Sequence, residues 1–394
     1  MAATAKTSPP NGAAHIAELD ASKLIVNLAE TLKPIPEDAH FGEHKTDHML
    51  VVSYEPTTGW SAPEIKPYGP FTLDPSSSCF QYCPNVFEGM KAYVGPNGEP
   101  RLFRSNKNME RLTRSAERVA LPPFDEKELL VLIKRLVMID KRWIPTKEGH
   151  SLYIRPTIIG TRTALGVAAS DSALLYVFMT PTGPYFDSSA GGIPLQAVSK
   201  TVRSWPGGTG GHKLGLNYAP GFLPQRVAAK DGYVQILWLL PHEGEERITE
   251  AGAMNFFVVV KRDDGDLDVV TPPLDGTILP GITRLSCIEL LQAHTEGRTV
   301  LPGIPATQRL YTHERPITMR ELAAWTEEGK VVEAFGVGTA VAVLPIGRIG
   351  HEERDLVLPS QEGLGVVGKA LLRRVLDIQT GRFEWEGWSE VCEV

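Results

Sequence analysis

The chain has 394 residues, 42% of them hydrophobic and 22% charged, with a net charge of −7. This is the composition of a globular protein with room for two or three domains, and the negative balance excludes a general nucleic-acid binder, which needs a basic face. No apolar run approaches the roughly 18 residues of a membrane helix, the four cysteines (Cys79, Cys83, Cys287 and Cys392) form neither a CxxC pair nor a disulfide framework, and the absence of HExxH spacing leaves a helical zinc site without support.

Residues 1–22 are rich in Ala, Thr, Pro and Asn, lack arginine, and include Glu18 and Asp20. That pattern fits neither a secretory signal nor a mitochondrial presequence. A disordered or extended tail is expected over 1–30, and a cytoplasmic location with mitochondria left open. Short strands are expected over 50–54 and 91–94. Ser105 can cap a helix over 106–118 that places Met109, Leu112 and Ala116 on one side. Arg111 then emerges at the edge of that face, where a solvated arginine would also sit. Residues 126–143 repeat Leu, Ile and Val at helical spacing and stop before Pro145. In Leu152-Tyr153-Ile154-Arg155-Pro156, strand alternation puts Tyr153 and Arg155 on one face. The pair could receive a carboxylate, which guanidinium grips bidentately; a solvated sheet face would look the same. An apolar strand over 173–179 follows. The small polar run Asp187-Ser188-Ser189-Ala190-Gly191-Gly192 sets a linker at 187–193 between a smaller domain, 31–186, and a larger one, 194–394. Strands and helices come in blocks in the first half, which reads as α+β.

The second half opens with a strand over 195–202. The glycine-rich Gly207-Gly208-Thr209-Gly210-Gly211 then leads into His212-Lys213-Leu214-Gly215-Leu216-Asn217-Tyr218. Glycine lets backbone approach a ligand closely. A lysine there suits a carbonyl-trapping amine, provided burial favours its neutral form; a solvated lysine on a surface turn reads the same. His212 and Leu214 around the lysine exclude a Walker phosphate loop. A helix is expected over 218–230, strands over 234–240 and 255–260, and a hairpin turn at Asp264-Gly265. Leu279-Pro280-Gly281-Ile282-Thr283-Arg284 opens a helix to about 294, and its bare N–H groups could bind an anion or simply be capped. Thr318-x-x-Glu321 is a capping box for a helix ending near 329. A strand over 332–335, the glycine turn Gly336-Val337-Gly338-Thr339-Ala340, a strand over 341–344 and a last helix over 364–378 complete the chain. The turn is not GxGxxG, so no dinucleotide fold follows.

An arginine, a lysine, a glutamate before Gly252, an open helix end and a hydroxyl-bearing turn are the functions pyridoxal phosphate needs. The strings around Lys213, Ile248-Thr249-Glu250-Ala251-Gly252 and Leu279 to Arg284 resemble the fold-type IV pyridoxal-phosphate enzymes. Gln81-Tyr82, Phe87-Glu88-Gly89-Met90-Lys91-Ala92, Leu152 to Pro156 and Gly338-Thr339-Ala340 narrow the resemblance to eukaryotic-type branched-chain amino-acid aminotransferases, from about residue 41 to the C-terminus. The resemblance implies a two-domain fold-type IV architecture, with a smaller α+β domain and a larger α/β domain. It also implies reversible amino transfer between L-leucine, L-isoleucine or L-valine and 2-oxoglutarate, with pyridoxal 5'-phosphate held on Lys213 as a Schiff base. Arg111, Gly281, Ile282, Thr283 and Thr339 would hold the phosphate, Tyr218 the ring hydroxyl oxygen and Glu250 the ring nitrogen. Tyr82, Phe87, Tyr153, Arg155 and Tyr185 would line the substrate pocket, with Thr339 and Ala340 taking the α-carboxylate. Partners would be amino acids, 2-oxo acids and a second copy of the chain in a homodimer, with no metal, nucleic acid or membrane. The alternatives are another fold-type IV enzyme, such as a D-amino-acid or R-amine transaminase, or a non-catalytic binder. Three departures from the family pattern stand out. Ala253 replaces a threonine, Val341 and Leu344 replace a redox CxxC, and Lys45 stands where an aromatic often lines the pocket.

Overall fold

The structure is a computed structural model and describes residues 16–183 and 191–393. The first half forms strands β1 (Ile25–Val26), β2 (His48–Glu55), β3 (Gly59–Trp60) and β4 (Glu64–Pro67), then the short helix α1 (Ser78–Gln81). Strands β5 (Asn85–Phe87), β6 (Met90–Val94) and β7 (Pro100–Phe103) follow, with helices α2 (Ser105–Arg118) and α3 (Glu126–Ile139) and long strands β8 (Ser151–Gly160) and β9 (Ala173–Thr182). The second half begins with β10 (Ile193–Val198), α4 (Phe222–Lys230), β11 (Gln235–His242), β12 (Glu245–Ala251), β13 (Met254–Lys261) and β14 (Leu267–Thr271). It continues with α5 (Ile282–Thr295), β15 (Leu310–Glu314), α6 (Met319–Glu327), β16 (Val331–Gly338), β17 (Ala342–His351), β18 (Arg354–Val357), α7 (Val366–Gln379) and β19 (Ser389–Val391).

Two sheets result. The first runs β1-β4-β2-β9-β8-β6-β7-β19, with β3 on β2 and β5 on β8. Helices α2 and α3 cover it, and Leu112, Leu129, Leu132, Ile133 and Leu136 pack with Leu50, Leu152 and Ile154 in one core. Each such side chain contributes roughly 1.5–3 kcal/mol on burial. The Asp125 carboxylate caps α3 by accepting from the N–H of Lys127 and Glu128. In the second sheet, β12-β11-β10-β17-β16-β13 close on themselves through a β12–β13 pairing, forming a barrel. Strand β13 shows why its sequence is apolar without alternation. Phe256 and Val258 point into the barrel core, while Phe257 and Val259 point out to α5 and α7, so both faces are buried.

Several local expectations shift. Ser105 begins α2 rather than capping it: the cap position is Arg104, in the left-handed region at φ 48, and the Ser105 hydroxyl donates to Glu390 instead. The Thr318 cap is present, with its hydroxyl accepting from Glu321 N–H, but the Glu321 carboxylate pairs with Arg315 rather than closing the box. The helix read over 218–230 starts at Phe222, after two short 3-10 turns. Of the expected tail, residues 16–30 run along the first sheet, with Leu19 in its core and β1 parallel to β4. The C-terminus returns to the same sheet as β19 beside β7, because Arg104 N–H and Cys392 N–H find acceptors there. The first sheet is therefore not confined to residues before 187. Residues 184–190, with most of the expected linker and Tyr185, lie outside the described residues.

Candidate active site

A cavity of about 540 Å³ opens between the two sheets and is lined from both. Lys213 reaches it from the connection between β10 and α4, and the first sheet fixes that connection. Lys213 N–H donates to the Ser115 hydroxyl on α2 at 2.9 Å, its carbonyl accepts from Phe87 N–H, and Leu214 bridges to Val86 and is buried in the first core. The 3-10 turns bring Tyr218 back over the lysine, so Nζ lies 3.2 Å from the Tyr218 hydroxyl and 4.7 Å from the Phe87 ring centre. Asn217 locks this loop by donating to the carbonyls of Thr209 and His212. Of the preceding glycines, Gly210 serves chain packing. A Cβ on Gly210 would overlap the Thr277 carbonyl and Ser204, and none of residues 207–211 lines the cavity.

One end of the cavity gathers N–H donors and a cation. Helix α5 starts after Gly281 with no side-chain cap, and the N–H groups of Ile282, Thr283 and Arg284 have no acceptor among the described residues. Gly281 is needed for space, since a Cβ there would overlap the Asn255 amide, whose Nδ2 holds the Leu279 carbonyl at 2.9 Å. Arg111 lies beside this end, buried. It grips Glu88 bidentately at 2.7 and 2.9 Å and donates to the Pro280 carbonyl at 3.0 Å. Those bonds use three of its five N–H groups, which leaves two for a ligand. Burial pushes the Glu88 carboxyl up, but the Arg111 charge and the hydrogen bonds from Arg111 and Asn108 outweigh it and hold Glu88 below the usual carboxylate range.

At the opposite side Glu250 sits on β12, just before the two-residue turn Gly252-Ala253 that joins β12 to β13. Gly252 has φ +61, and a Cβ there would press on Gln235. The Glu250 carboxylate is buried; Oε1 accepts from Leu279 N–H at 3.3 Å. Arg203 Nη1 pairs with Oε2 by charge but without hydrogen-bond geometry, so Oε2 has no hydrogen-bond donor among the described residues. Burial pushes the Glu250 carboxyl up, with Arg203 opposing the rise.

The remaining wall is aromatic. Tyr153 and Arg155 do share a face of β8, and both line the cavity with Phe87 and Phe41. Arg155 Nη2 donates to the Tyr153 hydroxyl at 3.1 Å, and its guanidinium lies 4.6 Å from the Phe87 ring centre and 5.2 Å from that of Tyr153. Its Nε is buried without a partner. Thr339, Ala340 and Val341 form the β16–β17 turn at the cavity edge.

The structure thus gathers Lys213, Arg111, Tyr218, Glu250, Gly281, Ile282, Thr283, Thr339, Ala340, Phe87, Tyr153 and Arg155 around one space. It does not bring Tyr82 there. That side chain is exposed, and its hydroxyl donates to the Leu165 carbonyl. Lys45 turns back onto the carbonyls of Gly42 and Glu43, and the aromatic expected at its position is supplied by Phe41. Sequence reading passed over Phe41, Glu88 and Arg203. Glu88 sits inside a quoted motif, yet its partner Arg111 is 23 residues on; nothing in the spacing marks Arg203.

A family model described as Amino-transferase class IV matches residues 85–349. The chain is 44% identical to the mitochondrial branched-chain-amino-acid aminotransferase of Schizosaccharomyces pombe, over 94% of this chain and 85% of that protein. It is 42% identical to the cytosolic one of Saccharomyces cerevisiae (95% and 98%) and to the cytosolic one of Mus musculus (95% and 94%). Among solved structures, the branched-chain aminotransferase of Thermoproteus uzoniensis with norvaline matches with a TM-score of 0.66 at 25% identity, over 88% of this chain and all of that one.

Proposed function

The chain belongs to the branched-chain-amino-acid aminotransferases, a class IV aminotransferase family, and from that premise we propose that it exchanges amino groups between L-leucine, L-isoleucine or L-valine and 2-oxoglutarate with pyridoxal 5'-phosphate held on Lys213. The observation that carries this is the pairing, in one cavity, of the unfilled α5 N-terminus and Arg111's two spare N–H groups with a lysine amine and a buried carboxylate. These features fit a group with a phosphate at one end, an aldehyde and a ring nitrogen. Arg111, Ile282, Thr283 and Thr339 would hold the phosphate, Glu250 Oε2 the ring nitrogen's proton, Tyr218 the ring hydroxyl oxygen, and Lys213 Nζ the aldehyde carbon. Bound there, the cofactor supplies a carbonyl for the amino group and an electron sink for the pair released at Cα.

The chain's residues do the rest. Lys213 Nζ, 3.2 Å from the Tyr218 hydroxyl, is the base that would take the substrate Cα proton and hold it for return. The N–H groups of residues 339–341, which have no acceptor among the described residues, donate to the α-carboxylate. Phe41, Phe87 and the Tyr153 ring suit a branched aliphatic side chain. Arg155 need not be an uncompensated charge while that side chain is bound, because two ring faces and the Tyr153 hydroxyl hold it. Its unpartnered Nε then remains for the γ-carboxylate of 2-oxoglutarate. Tyr82 lies exposed with Leu165 and Val167, as a residue completing the cavity of a second copy would, and a homodimer is the assembly we propose.

Purified protein with added cofactor should convert L-leucine and 2-oxoglutarate to glutamate and the branched oxo acid, and should leave D-alanine untouched. Lys213→Ala should lower turnover by at least about 10⁴-fold. Preference for D-alanine would favour a D-amino-acid transaminase, and turnover surviving in Lys213→Ala would sink the assignment of the lysine.

A further inference from the structure

Lys91 has no part in the chemistry described so far. It lies on β6, and its ammonium donates to the Ala340 carbonyl at 2.9 Å, joining the first sheet to a turn 249 positions on. Burial pushes its pKa down to about 8, and among the described residues no carboxylate forms an ion pair with it. Lys91 is half-buried, and an ammonium partly withdrawn from water without a counter-charge is favoured by an anion that comes to it.

The bond to Ala340 has a geometrical consequence. A trans peptide is planar, and its C=O and N–H point in opposite directions. Turning the Ala340 carbonyl onto Lys91 sends the Val341 N–H the other way. Thr339, Ala340 and Val341 all line the cavity, and none of their N–H groups has an acceptor among the described residues. The turn is closed by the Gly338–Ala342 pair, with Ala342 at φ +56. Such a run of free N–H groups binds an anion only while its peptide planes hold their tilt. On β6, Lys91 also pairs across the strands with Tyr153, which stands on the substrate wall. One side chain thus reaches from the strand pair that carries the substrate wall to the turn that faces it.

We infer that Lys91 is a positioning residue for the substrate α-carboxylate, orienting the 339–341 turn through the Ala340 carbonyl and placing a positive charge behind it. This rests on the reading that the turn receives the α-carboxylate. A residue that only clamped the two sheets together would act on every ligand alike. A residue that positions the carboxylate receptor acts on carboxylates selectively.

The test uses cofactor-loaded enzyme as wild type, Lys91→Met and Lys91→Arg. The probes are L-leucine, the non-reacting 4-methylpentanoate and 3-methylbutylamine, which has leucine's carbon skeleton without the carboxylate. Lys91→Met should weaken 4-methylpentanoate binding, measured by calorimetry, and raise the KM for L-leucine, each by about tenfold, with kcat within about threefold of wild type. Its single-turnover rate with 3-methylbutylamine and its cofactor absorbance should match wild type, and Lys91→Arg should recover most of the lost affinity. An unchanged 4-methylpentanoate affinity in Lys91→Met, or an equal loss toward 3-methylbutylamine, overturns the inference while the functional reading stands. A wild-type enzyme that does not transaminate L-leucine overturns that reading and the inference with it.

Discussion

Helices α5 and α7 both pack on the outside of the barrel, both run fourteen residues, and both start after a glycine with no side-chain cap. Their first turns are nevertheless opposite. At α7 the buried Glu333 carboxylate, sent from β16, accepts from the N–H groups of Gly365, Val367 and Gly368 at 2.9, 2.8 and 3.1 Å. Burial pushes that carboxyl up and the three donors pull it back. At α5 the corresponding N–H groups have no acceptor among the described residues, and the charged group beside them is the cation Arg111. A helix N-terminus carries about half a positive charge. The fold neutralises one with its own acid and reinforces the other with a guanidinium. Only the second has no acid of its own among the described residues. A glycine before a helix therefore does not tell the two ends apart; the presence or absence of an internal carboxylate does.

Removing the guanidinium should break the contrast most strongly. In Arg111→Ala the Glu88 carboxylate stays buried with no counter-charge, and stability should fall by about 4 kcal/mol, read from urea unfolding of the apoprotein. Cofactor affinity should drop as well, by roughly a hundredfold. The pH dependence carries a sign. Glu88 is held below the usual carboxylate range in the folded protein, so its contribution is present above the unfolded value of 4.5 and is lost as pH falls through the folded value. The wild-type advantage over Arg111→Ala should shrink below pH 4.5. An advantage that stays flat there would mean that Glu88 and Arg111 do not stabilise each other as a pair.

Emptying the other helix end comes next. Glu333→Ala leaves three N–H groups, two of them buried, without an acceptor and a void where the side chain was, and should cost about 3 kcal/mol. Cofactor affinity and KM should not change, because α7 faces no cavity ligand. A loss of cofactor with stability intact would show that the two ends had been assigned the wrong way round.

Both helices are legible in the sequence, α5 from Gly281 and α7 from residue 364, two residues before its observed start, because helical period is a local signal. The same holds for Lys213, Glu250, Arg111 and the 339–340 turn, whose neighbours in sequence form recognisable strings. What distinguishes the two helix ends is not legible. Glu333 acts on Gly365 from 32 positions away, and Glu88 on Arg111 from 23. Arg203 and Glu250 meet only because β12 and the loop after β10 flank one cavity. Tyr82 shows the converse. Its motif is intact, but its side chain turns to Leu165, and no local string encodes which way a side chain turns. Gly210 before Lys213 suggests room for a ligand, yet it leaves room for Ser204 and Thr277, since either need leaves the same residue in the sequence.

The smallest change should sharpen the contrast by making α5 resemble α7. Thr283→Asp gives the helix its own carboxylate at the second helical position, among three free N–H groups and beside Arg111. An acid in the first turn is worth about 0.3–1 kcal/mol, so the apoprotein should gain roughly that much in thermal unfolding, although the substitution lies in a buried site where a charge would otherwise cost stability. The same carboxylate would repel a phosphate from the position it fills, and cofactor affinity should fall at least about a hundredfold in a spectroscopic titration. The two effects must come together, since one negative charge satisfies the helix end and excludes the other. A variant that binds cofactor as wild type does, or that loses stability before any cofactor is added, would show that the α5 terminus is not waiting for an anion.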